Sequence, residues 1–185
     1  MQTAAHDTDQ MGKQAPYFYA VALPKFVALW LGTGGFYGLF WFHQHWQTIR
    51  SRQGGDFKPW HRMLLAGSYC EPLLRLIVEA RRDQATDPPF SPRARAVVWL
   101  LMTATLLLGP PLSLLCPFAF LPLVDAQRLA NQVNALRTPA ADENADWSHR
   151  EWLALLPAGL ALLAGVGWLV HTGWFSDAAN RISHR

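Results

Sequence analysis

Three stretches of this chain, 26–42, 96–124 and 153–170, contain no Asp, Glu, Lys or Arg, and they run to 17, 29 and 18 residues. A helix needs roughly 20 mostly apolar residues, about 17 at the short end, to cross hydrocarbon about 30 Å thick. Mean hydropathy is only +0.05, because these blocks alternate with strongly polar segments. In a chain of 185 residues such segregation predicts an all-α integral membrane protein with about four transmembrane crossings. The expected location is the bacterial inner membrane, as a multi-pass protein.

The first crossing is expected over about 24–45. Pro24 suits a first helical turn, where its missing N–H costs nothing, and Lys25 can leave its ammonium among headgroups. The block does not read as a cleaved signal, since the basic cluster follows it. Tyr37, Trp41 and Trp46 fall where this helix leaves the hydrocarbon. They read as an aromatic belt, because their rings are apolar while their O–H or N–H groups need a polar partner. As one straight helix the 29-residue block would rise about 43 Å, too far for the bilayer core. Gly109-Pro110-Pro111 stands near its middle and stops a helix. A hairpin of two crossings, about 94–109 and 112–127, puts Arg93, Arg95 and Arg128 on one side; a single long helix is the alternative. The last crossing, about 152–172, is bracketed by Trp152 and Trp174.

Residues 43–95 hold nine Lys and Arg against five Asp and Glu. The tendency of basic residues to stay inside therefore makes the region 46–95 cytoplasmic and leaves both termini outside. After Pro72, the residues Leu73, Leu74, Ile77 and Val78 form an apolar stripe, while Glu71–Arg75 and Arg75–Glu79 are helical i,i+4 pairs. A second amphipathic helix reads from "DAQRLANQVNALR", with Leu129, Val133 and Leu136 at helical spacing. Both are expected to lie in the membrane interface, the first with its stripe in lipid or against a neighbouring helix. A single helical membrane domain, 16–175, then sits between a disordered tail, 1–15, and a flexible one, 176–185.

The run "FYAVALPKFVALWLGTGGFYGLFWFHQHWQTIRSRQGGDFKPWHR" resembles an uncharacterised family of small bacterial membrane proteins with a "YWFYKNW"-like aromatic motif. The matching residues are Lys25, Gly35-Phe36-Tyr37, Phe40-Trp41-Phe42, Trp46 and Pro59-Trp60-His61-Arg62. A second match is "FLPLVDAQRLANQVN", similar to a "FLPLLPVQRAINALN"-like motif. The resemblance implies a polar break between the second and third crossings, where this chain carries only Gly-Pro-Pro. It implies no activity.

Candidates for chemistry are few. His43 and His45 would stand about 200° apart on a helix and do not converge as metal ligands. With His61 they read as polar residues of the headgroup layer, and no metal or cofactor is expected. Cys70 and Glu71 with His61 offer a nucleophile-and-base reading, against the plainer one of a small residue at a helix start. The pairs Gly34/Gly38, Ala154/Ala158 and Ala161/Gly165 are spaced for close helix packing in lipid. Arg50, Arg52, Lys58, Arg62, Arg75, Arg81 and Arg82 are expected to meet lipid or a partner. The basic residues adjoin apolar blocks instead of forming a domain of their own, which argues against nucleic acid. These features predict a non-catalytic accessory or scaffold subunit. Its partners would be membrane lipids and a membrane protein or second copy; a small channel or lipid-handling protein is the alternative.

Overall fold

The computed structural model describes residues 15–82, 90–109, 112–142, 144–149 and 151. The chain divides into two compact units, 1–147 and 148–185. In the second unit the described residues make one local cap, with the Ser148 N–H donating to Glu151 Oε2 at 2.8 Å.

Among the described residues of the first unit every regular element is helical. Six α-helices follow in order: α1 Leu23–Gly32, α2 Tyr37–Gln53, α3 Pro59–Leu64, α4 Ala66–Arg82, α5 Pro92–Ala104 and α6 Leu121–Arg137. Two 3-10 stretches, Thr105–Leu108 and Leu112–Phe120, stand between α5 and α6 and pack against each other.

None of the described helices is long and apolar enough to cross a membrane. This overturns the multi-pass, inner-membrane reading of the sequence, and each break has a local cause. The stretch expected to cross at 24–45 is cut after Gly32, where α1 has run only 10 residues, or about 15 Å. Gly34 and Gly35 then take φ of +60° and +95°, a region side chains disfavour and glycine enters freely. Thr33 fastens the turn: its Oγ1 donates to Leu29 O at 2.7 Å and accepts the Tyr37 N–H at 2.9 Å. The second helix, α2, then carries His43, Gln44, His45, Gln47, Arg50 and Arg52 over its length. In the second block, α5 runs 13 residues before tightening to 3-10 geometry at Thr105, and Gly109 turns with φ +70°. The crossing expected at 152–172 and the tails at 1–14 and 176–185 lie outside the described residues.

The apolar stripes face protein. Leu73, Leu74, Ile77 and Val78 of α4 are buried, as are Leu129 and Val133 of α6, and the two helices pack together. Only Leu136 of the expected stripes is exposed. Tyr37, Trp41 and Trp46 are interior too, so they form no belt at a boundary. Trp41 meets Phe42 edge to face at 5.0 Å and His45 at 4.3 Å, and Phe42 meets Trp99 of α5 at 5.1 Å. Lys25 is buried as well: its Nζ donates to Asn144 Oδ1 at 2.9 Å and Asp146 O at 2.6 Å. The acidic loop after α6 takes this ammonium, where a headgroup had been expected.

Cross-helix contacts fix a direction. Early in the helices, Gly67 of α4 lies by Leu100, and Trp30 at the end of α1 faces Phe120. Late in the helices, Arg81 of α4 donates to Gln132 of α6 at 2.6 Å, and Arg137 of α6 to Ala80 O at 2.8 Å. Arg137 and Arg52, the latter near the end of α2, both stack on Tyr17. Helices α2, α4 and α6 therefore start at one end of the bundle and finish together at the other.

Candidate functional site: a polar lock and an apolar end

At the centre of the unit, α6 holds the extended segment Phe18–Val21 with amide side chains in place of a strand. Gln127, Asn131 and Asn134 recur at i, i+4 and i+7, which is one face of a helix. Asn134 pairs with Phe18 twice, accepting its N–H at 2.8 Å and donating to its carbonyl at 3.0 Å. Asn131 donates to Val21 O at 2.9 Å, and Gln127 to Tyr19 O at 3.2 Å. An extended segment without a neighbouring strand would bury unpaired backbone groups; this ladder pairs the Phe18 N–H and the carbonyls of Phe18, Tyr19 and Val21. Residues over 100 positions apart thus meet, Phe18–Val21 against α6.

Gln127 also orders the core. Its Oε1 accepts from Trp41 Nε1 at 2.6 Å and lies 3.2 Å from His45 Nε2, while its Nε2 donates to Asn131 Oδ1 at 2.7 Å. Because Oε1 only accepts, His45 carries its proton on Nε2. Its Nδ1 is buried with no partner among the described residues. Complete burial, opposed by the hydrogen bond to Gln127, pushes the His45 pKa down to about 3. The ring is neutral at physiological pH, an interior residue and not a headgroup one. Sequence reading missed the amide ladder, although the spacing of "QRLANQVN" displays it.

The other candidates fall in different places. His43 is half-buried and His61 is exposed, resting against Trp60 with ring centres 3.6 Å apart. Cys70 is fully buried, and burial followed by the Glu71 charge raises its pKa to about 12. A protonated, enclosed thiol is a poor nucleophile, and exposed His61 does not change that. Native protein at pH 8 should leave Cys70 unalkylated by iodoacetamide over hours while half-exposed Cys116 reacts; mass spectrometry of the digested protein reads both. Modification of Cys70 at the rate of a free thiol would contradict its placement. No three of His, Cys, Asp and Glu converge as metal ligands among the described residues.

Gly34 lies in the α1–α2 turn with no atom within 4 Å of a built Cβ, so Gly34 and Gly38 share no helix face. Gly38 is different: a Cβ there would lie 2.5 Å from Cη2 of Trp30. Its close contact is with this chain's own indole. Gly38→Ala should destabilise the unit by about 1–3 kcal/mol through overpacking, measured by urea unfolding; an unchanged midpoint would show that the ring moves freely aside. Ala154, Ala158, Ala161 and Gly165 lie outside the described residues.

The basic residues divide. Arg52 sits 3.4 Å above the Tyr17 ring and Arg81 ties α4 to α6. Arg75 pairs with Glu71 at 2.6 Å, and Arg62 stacks over Trp46 and Phe57. Arg50 and Lys58 are exposed, and Arg82 closes α4.

The most unusual surface is at the end where α2, α4 and α6 begin. Leu106, Leu107 and Leu108 are 62%, 86% and 64% exposed. Val97, Val98, Leu100 and Leu101 on α5, and Leu112, Leu115, Phe118 and Leu121 on the returning arm, are also exposed. Phe36 in the α1–α2 turn, Leu39 and Phe40 in the first turn of α2, and Leu64 and Leu65 at the α3–α4 junction are exposed as well. At the base of the hairpin Arg95 and Asp125 pair at 2.5 Å, joining the two arms, with Arg93 and Arg128 exposed beside them.

No family model, curated protein or solved structure matches this chain.

Proposed function

We propose that this protein is a non-catalytic scaffold that docks on a lipid surface through the apolar end of its bundle, dipping the 96–121 hairpin into one leaflet without crossing it. The exposed leucine tip, Leu106–Leu108, carries the reading. Large exposed apolar patches mark protein or membrane contacts. The charges around it favour lipid: Arg93 and Arg128 stand exposed at the hairpin base, and the chain has a net charge of +3. Basic residues beside an anionic leaflet contribute about 1 kcal/mol each. From Ala96 to the end of the 3-10 stretch at Leu108 the arm rises about 20 Å, against roughly 30 Å of hydrocarbon. The tip therefore stops inside. The described residues of both arms are helical, the form in which a chain segment pairs its own backbone groups in lipid, and the two prolines following Gly109 bring no N–H to satisfy.

Flotation with phosphatidylglycerol vesicles tests this. Wild-type protein should float with the vesicles, and the double variant Leu107→Glu/Leu108→Glu should lose at least tenfold in apparent affinity while keeping its helical circular dichroism. Equal flotation of the two proteins, or a discrete lipid-independent oligomer that hides the face, would contradict the proposal.

A further inference from the structure

Between α2, α3 and α4 lies an open cleft of about 530 Å³, lined by Trp46, Arg62, Ser68, Tyr69, Arg75 and Glu71 among others. We propose that this cleft binds a phosphate group, held by the guanidinium of Arg62 with Arg75 opposite, at the level where the apolar end of the bundle gives way to its polar body. The inference rests in part on the lipid-docking reading, which supplies one source of that phosphate.

Arg62 is prepared for such a role. Its Cζ lies 3.6 Å from the Phe57 ring centre, 4.2 Å from Trp46 and 5.2 Å from Tyr69. Three rings hold the guanidinium flat, and a stacked arginine keeps its N–H edge for a planar or tetrahedral oxyanion. No carboxylate pairs with Arg62 among the described residues. Partial burial, only in part offset by Tyr69, lowers its pKa, and an anion at the edge would restore the balance. Arginine stays charged throughout.

The rest of the lining suits the same group. Arg75 is anchored by Glu71 at 2.6 Å and its side chain is still 61% exposed, so it has donors to offer. Glu71 places one carboxylate in the cleft, which leaves two cations against one anion. Ser68 adds a hydroxyl. Trp46 keeps a buried Nε1–H with no acceptor among the described residues. Position along the bundle matters most. Tyr69 and Glu71 lie four and six residues beyond exposed Leu65, or about 6 to 9 Å of helical rise. A phospholipid whose chains lay against those leucines would carry its phosphate to Arg62.

Titration calorimetry of the full chain with dihexanoyl-phosphatidylglycerol below its micelle concentration, and separately with inorganic phosphate, tests the site. Saturable binding is expected, weakened at least tenfold by Arg62→Gln, about threefold by Arg62→Lys, and not at all by Arg50→Gln on the exposed face of α2. Short-chain lipid binding tighter than inorganic phosphate assigns the site to a headgroup; equal binding of both assigns it to free phosphate. The Leu107→Glu/Leu108→Glu protein should retain the short-chain lipid, so loss of vesicle docking and loss of this site are separable. Absence of saturable binding by either probe, or equal losses in Arg62→Gln and Arg50→Gln, overturns the proposal.

Discussion

Gln127→Leu should lower the unfolding free energy by about 4 kcal/mol and the melting temperature by on the order of 10 °C. Leucine matches glutamine in bulk, so the loss comes from polar groups and not from a void. Trp41 Nε1 and His45 Nε2 lose their acceptor, and Tyr19 O and Asn131 Oδ1 lose a donor. Each buried group left unpaired costs about 1–3 kcal/mol, and a connected network loses more than its separate parts suggest. Asn131→Ala removes one link of the ladder and should cost about 1 kcal/mol. Thermal unfolding followed by circular dichroism reads both. If Gln127→Leu were neutral, the lock between Phe18–Val21 and α6 would not hold the unit together.

Stability should also fall steeply in mild acid. His45 is fully buried with its pKa pushed from 6.5 to about 3, so the unfolded chain binds its proton first as pH drops. Between these two values the unfolded state is the more protonated, and stability rises with pH. Above about pH 6.5 the contribution is complete; below it, roughly 1.4 kcal/mol is lost per pH unit, or about 4 kcal/mol by pH 3.5. Urea midpoints from pH 7.5 to 4 measure the slope, and His45→Gln should flatten it. A wild-type slope that survived in His45→Gln would place the sensitivity elsewhere.

Helical periodicity in the sequence identified faces and left open what covers them. Leu73, Leu74, Ile77 and Val78 read correctly as one stripe, and so did Leu129 and Val133. Lipid and a neighbouring helix are equally apolar, so a stripe of leucines does not distinguish them, and here protein covers both. The same ambiguity misplaced Trp41 and Trp46, whose rings suit a headgroup layer and a core alike. Pro24 marked the start of α1, and Gly109 marked a reversal, because backbone restrictions act locally. Gly34 carried a local signal too, but paired with Gly38 at small-residue spacing it invited a packing interpretation where φ above zero was the actual need. The amide ladder of Gln127, Asn131 and Asn134 lay in plain helical spacing. Its partner, a backbone segment over 100 residues away in sequence, offers no side-chain pattern to pair it with. The Arg62 cleft depends on Phe57, Trp46 and Tyr69 converging from separate elements, and only the fold assembles that.

Depth decides whether the apolar end serves as proposed. With Cys70→Ser and Cys116→Ser in place, Leu107→Cys can carry an NBD fluorophore into phosphatidylglycerol vesicles. The tip should show blue-shifted emission, quenching by lipids spin-labelled in their acyl chains, and resistance to dithionite added outside or trapped inside. Emission unchanged from that in buffer, or rapid bleaching by the trapped dithionite, would contradict a hairpin that enters one leaflet and stops.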